Sequence, residues 1–434
     1  MGSRQPLPAP RDQRVRTATR RLRRRVPRPL PRARGQRCAL HGAGGPAMRQ
    51  ALLAVVLLLP QGNRRADPFA PARLRATVSF LASDEMRGRG TGSPEGKMAA
   101  EWIAERFEKI GLEPANNGSF FHEFRFGGKE CRNVAGILRA PPPAREFVVV
   151  GAHHDHLGGI GKTIYPGVDD NASGVAGVLA LAEHFAARKK GLKRHMVFVS
   201  YDAEEKGLIG SKRFVGHGVI AIDKTVFMLV FDLIGGVFLP GQEQRVYALG
   251  SEHSKAVRAV LEQHRKAEAL EAIPLGTYLI EPVGPAFARS DYSAYRAKHV
   301  PYLFMTAATP WYYHTPFDRP ERLDYEKASR TLGIARAILA DIVTSTKPLD
   351  FVAKPAGEVQ DARDLVRMIE SVLERQKELR ISERRAGTLR AHVERLAKLT
   401  ATDELGGRGK RACQMAIMDL LRVARSYRPP GWKR

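Results

Sequence analysis

The sequence predicts an α/β fold: a central mixed, mostly parallel sheet held between two layers of helices, a three-layer sandwich, followed by a C-terminal helical extension. Two observations carry the sheet. The runs Glu146-Phe-Val-Val-Val150, Met196-Val-Phe-Val199 and Val226-Phe-Met-Leu-Val-Phe231 are short and almost uninterrupted in β-branched and aromatic residues, as strands buried on both faces must be. Each run is also followed at its carboxyl side by imidazole or carboxylate groups, and ligands in open α/β sheets bind in the crevice beyond that edge. The extension rests on a third observation: after Pro348 the chain turns charged, with apolar residues at helical spacing.

Taken in order, residues 1–47 are dominated by Arg, Pro, Ala and Gly, contain one acidic residue, Asp12, and lack apolar periodicity. They are expected to be disordered, and a mis-assigned start codon would explain their composition. Residues 48–65 begin Met-Arg-Gln and continue into an apolar run ending at Pro60, a pattern that resembles a signal peptide and is too short to span a bilayer. The expectation is an exported protein, periplasmic or extracellular, that starts at Met48. The competing reading is an Arg-rich organelle-targeting peptide. No Ala-x-Ala cleavage site or lipoprotein cysteine accompanies the run.

Ser93-Pro94-Glu95 opens a helix that Gly111 ends, with Met98, Trp102, Ile103, Phe107 and Ile110 as its expected buried stripe. Ser173 to Arg188 reads as a second helix with Val175, Val178, Leu179, Ala182 and Phe185 on one face. The turn Asp169-Asp170-Asn171 precedes it, leaving Asp170 free to reach the crevice. Beyond Pro348, two helices are expected between Val359 and Leu399, broken near or shortly before Gly387, and a third from Lys410 to Tyr427. The extension would pack on the catalytic region, mediate self-association, bind a partner or simply stabilise the fold.

The groups at the strand ends carry the chemistry. His153 and Asp155 follow the first run, Glu204 and Glu205 the second, and Asp232 the third; Asp170 and His314 lie in loops. Taken singly, a His after a strand or a Glu-Glu pair is usually structural or solvated. Together, two imidazoles and several carboxylates meet the needs of a zinc site, and a two-metal site needs a carboxylate between the ions. Glu204, if left unbound, would serve as a base for a metal-activated water. Asp155, two residues from His153, would accept the ring's second N–H and fix its tautomer, or else stand in solvent. His154 and His156 in the same loop are read as lining residues.

From Ala66 to Thr346 the sequence resembles the M28 zinc metallopeptidases of the bacterial leucyl-aminopeptidase type. Five motifs occur in that family's order: His153-x-Asp155, Asp170-Asn-Ala-Ser-Gly174, Glu204-Glu205, Phe231-Asp232 and His314-Thr-Pro316. The resemblance implies two zinc ions per chain bridged by Asp170, with Glu205 and His314 completing one site and His153 and Asp232 the other. It also implies Glu204 as general base, Asp155 as partner of the ligand His, and a cis peptide between Asp170 and Asn171. Where members read Ser-Asp-His, this chain has Ser290-Asp291-Tyr292, so that His's role falls to the Tyr292 hydroxyl or is lost. Arg289 would hold a substrate carboxylate or form a structural ion pair. Phe287, Phe304, Met305, Tyr312 and Tyr313 would wall a specificity pocket or belong to the core. Some relatives insert a protease-associated domain before the His153 loop; the interval after Phe120 leaves no room for one.

The net charge of +26 on 434 residues looks like a nucleic-acid signature. Its distribution argues otherwise, since roughly +15 lies before Ala66 and roughly +8 after Thr346, leaving the catalytic region near neutrality. Nucleic-acid binding through the tails would be non-specific and salt-sensitive. Three cysteines, Cys38, Cys131 and Cys413, make neither a disulfide framework nor a Cys-based zinc site. The expected function is therefore an exported two-zinc aminopeptidase acting on peptides, with no specific nucleic-acid partner and membrane contact only transiently through the signal-like segment. A single-zinc glutaminyl cyclase of the same family and a non-catalytic, receptor-like domain are the alternatives.

Overall fold

The computed structural model describes residues 67–281, 288–401 and 404–430. The expectations for residues 1–47 and 48–65, and for Phe287, lie outside the described residues. In chain order the elements are α1 (Pro71–Leu81), α2 (Pro94–Ile110), β1 (Glu113–Pro114), β2 (Phe121–Phe126), β3 (Lys129–Leu138), β4 (Phe147–His153), β5 (Gly158–Ile160), β6 (Thr163–Tyr165) and α3 (Gly174–Ala186). There follow β7 (His195–Tyr201), α4 (Ile209–Gly216), β8 (Thr225–Phe231), β9 (Arg245–Leu249), α5 (Lys255–His264), β10 (Lys266–Ala267), β11 (Leu270–Leu275), α6 (Tyr292–Arg296) and β12 (Tyr302–Thr306). Four helices end the chain: α7 (Tyr325–Thr344), α8 (Val359–Glu374), α9 (Glu383–Leu399) and α10 (Gly407–Ser426).

The main sheet has ten strands, ordered β1-β3-β7-β4-β8-β12-β9-β11-β10 with β2 paired to β3. Its centre, β7-β4-β8-β12, is parallel, while β3 joins β7 and β9 joins β12 antiparallel. The mixed, mostly parallel sheet of the sequence reading is thus present. Alternation along β4 shows why both faces are covered: Val148, Val150 and Ala152 enter one core, and Val149 enters the other. After β4 the chain returns to β7 on one side, then passes to β8 on the other. This reversal opens a crevice at the carboxyl ends of the three strands.

Helices α1, α2, α3 and α7 cover one face. At α2 the caps are as predicted: Ser93 accepts from the Gly96 N–H, and Gly111 closes the helix at φ 88°. The buried stripe differs. Ala99, Ala100, Ile103, Ala104 and Phe107 face the core, whereas Met98 is 47% exposed and Trp102 stacks on Phe80 at the margin. Small residues let α2 approach its neighbours closely, leaving the bulkier side chains at the rim.

The C-terminal helices lie on the opposite face. Val359, Leu365, Met368, Ile369 and Val372 of α8 share a core with Val197, Val230, Tyr247 and Ile273 of the sheet. Gly387 lies within α9; the break before it spans residues 375–382, where Ser382 caps α9 by accepting from the Arg385 N–H. Cys131 and Cys413 are buried and unpaired with each other.

Candidate metal centre

His153 ends β4, fully buried between β7 and β8. Its Nδ1 lies 3.0 Å from the backbone carbonyl of Asp155, which fixes Nδ1–H and turns Nε2 into the crevice. There Nε2 is 3.4 Å from Asp170 Oδ1, 3.4 Å from Asp232 Oδ1 and 3.9 Å from Glu204 Oε2. The partner predicted for the ring was the Asp155 carboxylate. Instead that carboxylate, 3.7 Å from Nδ1, accepts from the Thr91 hydroxyl at 2.6 Å and the Glu204 N–H at 3.0 Å. Two better-placed donors take its oxygens, so Asp155 tethers the backbone of Glu204 while its carbonyl orients His153.

Asp170 sits between two groups of donors. While Oδ1 faces His153, Oδ2 lies 3.0 Å from His314 Nε2 and 3.5 Å from His156 Nδ1. Its loop is held from both sides: the Asp318 carboxylate accepts from the N–H groups of Asp169 and Asp170, and Asn171 bonds the Phe231 carbonyl and the Gly174 N–H. The Asp170–Asn171 peptide is cis, as the resemblance implied. Glu205 extends from the β7 side with Oε1 2.7 Å from His156 Nδ1 and Oε2 3.3 Å from His314 Nε2. Asp232, just after β8, also accepts from the Ser290 hydroxyl at 3.2 Å.

The structure therefore gathers six of the seven predicted site residues, together with His156, in two clusters at one edge: His156, Asp170, Glu205 and His314, and His153, Glu204 and Asp232; Asp155 lies behind them, bonded to the Glu204 N–H. Among the described residues, His153 Nε2, Asp170 Oδ2, Asp232 Oδ1 and His314 Nε2 are buried without a hydrogen-bond partner. Buried polar atoms in proteins usually find partners, and these orphans converge, with the N and O types that zinc prefers, as a metal centre requires.

The electrostatics of the metal-free donors agree. Burial above all, reinforced by Asp232, Asp291 and Glu205 against the pull of His153, holds the Glu204 carboxyl well above its usual range. At Glu205 burial acts upward but is outweighed by the His156 hydrogen bond and the nearby His314 imidazole, which hold the carboxyl low. Burial would lower His314, yet Asp170 and Glu205 push it up to about 10.

Sequence reasoning missed three contributors. His156 was read as lining, yet its Nδ1 reaches Glu205. Asp318, four residues beyond His314, carries the Asp170 loop. Arg89 is completely buried, and its guanidinium donates to the carbonyls of Leu81, His154, Pro166 and Gly167 at 2.5–2.8 Å. It thereby ties the His153 loop to the Asp170 loop. The third imidazole in His153-His-Asp-His156 was a usable signal; nothing in Met86-Arg-Gly-Arg89 marks a buried guanidinium.

The structure favours one alternative for several other residues. Tyr292 is buried, stacks on Tyr302 and gives its hydroxyl to Glu281, so the hydroxyl is committed away from the metal donors. Arg289 donates from Nε to the Ile280 carbonyl. Phe304, Met305 and Tyr312 are buried. Tyr313 alone of the described pocket candidates is open to solvent, 37% exposed and stacked on His314 with 3.8 Å between ring centroids.

A mostly parallel α/β sheet with buried imidazole and carboxylate donors at its carboxyl edge fits a metal-dependent enzyme. Residues 133–339 match peptidase family M28. Over 305 residues the chain is 27% identical to the uncharacterized protein YfbL of Escherichia coli (strain K12), covering 63% of this chain and 88% of that protein. It is 32% identical over 126 residues to leucine aminopeptidase 1 of Ajellomyces capsulatus (strain NAm1 / WU24), 28% of this chain and 32% of the relative, so it spans about a third of that relative's length. In fold it resembles BSAP, a zinc aminopeptidase from Bacillus subtilis, with TM-score 0.50 and 16% identity over 65% of this chain and 97% of the other. This chain is thus similar to M28 peptidases over residues 133–339 and shares the fold of a zinc aminopeptidase.

Proposed function

We propose that this protein is a two-zinc aminopeptidase that removes amino-terminal residues from peptides. The single observation that carries the two-ion reading is Asp170, whose two oxygens face different imidazoles, His153 on one side and His314 on the other. His153, Asp170 and Asp232 would hold one ion, and Asp170, Glu205 and His314 the other. Bound there, zinc supplies Lewis acidity, making water a nucleophile near neutral pH and polarising the scissile carbonyl.

The chain's own groups do the rest. Glu204 stands at the rim of the His153 cluster, its backbone anchored by Asp155, and takes the water proton before delivering it to the leaving amine. Tyr313, over His314, feels the negative field of Asp170, Asp232, Glu205 and Glu204, which adds to burial in raising its pKa. A phenol kept protonated there donates to developing negative charge on the carbonyl oxygen. Arg89 and Asp318 keep the two ligand loops in register.

The test is zinc content together with hydrolysis of aminoacyl chromogenic substrates, in wild type and Glu204→Ala. The expected result is about two zinc per chain in both proteins, with kcat lower by about 10²–10⁴ in the variant. One zinc with cyclisation of amino-terminal glutamine would replace this reading by the cyclase alternative. Bound metal without turnover in wild type would point to a binding role.

A further inference from the structure

We propose that His156 is a positioning residue of the metal centre: its Nδ1–H holds Glu205 Oε1 and presents Oε2 alone to the ion shared with Asp170 and His314. This inference rests on the two-ion reading above.

The imidazole is fixed before any metal arrives. Its backbone N–H bonds the Arg89 carbonyl at 3.1 Å, and Gly90 pairs with it as a short parallel bridge. Its ring lies so close to Gly167 that a Cβ there would stand 2.6 Å from both Cγ and Cδ2. Only glycine fits, and its φ of 61° adds a second reason. The ring is buried and meets His314 edge-on, with 5.6 Å between centroids. Within this clamp Nδ1 is 2.7 Å from Glu205 Oε1, a charge-assisted hydrogen-bond length.

The competing role is direct ligation through Nδ1, and the other ring nitrogen decides against it. Ligation would place the proton on Nε2, which is buried and has no hydrogen-bond partner. An unsatisfied buried donor costs about 1–3 kcal/mol, and metal-bound imidazoles almost always donate their second N–H. With the proton on Nδ1, Nε2 bears only a lone pair. His153, three residues earlier, shows the opposite arrangement: Nδ1–H satisfied by the Asp155 carbonyl and Nε2 aimed at Asp170 and Asp232. One loop thus carries a ligand imidazole and an orienting one, distinguished by which nitrogen faces the donors.

The consequence is an unequal pair of sites, because a pinned carboxylate loses less freedom on binding than a free one. The experiment is calorimetric titration of the metal-stripped full chain with Co²⁺, with the visible d–d spectrum recorded, for wild type, His156→Ala and His156→Asn. The Asn amide nitrogen stands where Nδ1 does and restores the donor without an imidazole. The expected result is that His156→Ala weakens one Co²⁺ by about 10–100-fold and leaves the other within about twofold. His156→Asn should recover most of that loss and keep the wild-type spectrum. Equal affinities in Ala and wild type would overturn the proposal. So would an Asn variant as weak as Ala with a changed d–d band, which assigns His156 as a ligand. A wild type that takes up one ion sinks the two-ion reading on its own, and the Ala-to-Asn comparison at that ion still decides the role of His156.

Discussion

Two regions of this protein bury carboxylates, and they do so in contrasting company. At the carboxyl edge of the sheet, Asp170, Glu205 and Asp232 converge with His153 and His314, and several of their atoms lack any hydrogen-bond partner. On the far face, α8 buries Asp361 beside a single partner, the Tyr278 hydroxyl at 2.7 Å. Burial by itself therefore does not distinguish a site. What does is convergence: orphaned donors and acceptors from separate strands aimed at common points need a cation, whereas a lone carboxylate with one phenol needs only a proton.

The contrast is sharpened most by Arg89→Met. The guanidinium satisfies four backbone carbonyls that bracket the His153 and Asp170 loops, and it stays charged although burial lowers its pKa to about 10. Removing it leaves those carbonyls buried and unpaired, with an expected loss of about 3–5 kcal/mol in urea unfolding. Zinc retention should fall with it. A variant as stable as wild type and fully metallated would show that the edge is held together by its metals alone.

Asp361→Asn probes the other region. Burial raises this carboxyl to about 8 against the opposing bond from Tyr278. Because the folded pKa exceeds the unfolded one, folding favours the protonated form. The stability this contributes is complete below about pH 4 and lost as pH rises through about 8. Asn keeps an acceptor for the Tyr278 hydroxyl and does not titrate, so the variant is expected to exceed wild type by about 2–4 kcal/mol at pH 8 and to match it near pH 4. Unfolding curves at both values provide the check, and parallel pH dependences in the two proteins would sink the idea.

Much of this contrast was legible in the sequence, and the reason is periodicity. The buried strands β4, β7 and β8 announce themselves by uninterrupted apolar runs, and a strand's carboxyl end fixes where its next residue goes, so His153, Asp232 and the Glu204-Glu205 pair could be placed together. Residues that act through the backbone left no such trace. Arg89 and Asp318 work by bonding carbonyls and N–H groups of distant loops, contacts that depend on tertiary structure alone. The same limit explains the α2 stripe, where alanines gave little hydrophobic signal yet define the close-packed face. For Tyr292, sequence supplied a plausible hydroxyl but not its direction.

That direction supports the last and smallest test. Glu281 is another buried carboxylate, in company intermediate between those two regions: it has the Tyr292 phenol, as Asp361 has Tyr278, but also Arg296 at 2.7 Å. The Arg296 guanidinium pairs with this carboxyl directly. Tyr292→Phe removes the bond to Glu281 and the acceptor of the Arg289 N–H, keeps the ring stacked on Tyr302 and leaves the Arg296 pair in place. The expected cost is about 1–2 kcal/mol of stability. Because the hydroxyl is spent on Glu281 rather than on substrate, kcat and KM for aminoacyl substrates should stay within about twofold of wild type, against the 10²–10⁴ of a catalytic donor. A large fall in kcat with unchanged zinc content would mean that Tyr292 swings toward the edge during turnover. Glu281 would then belong with the convergent carboxylates rather than with Asp361.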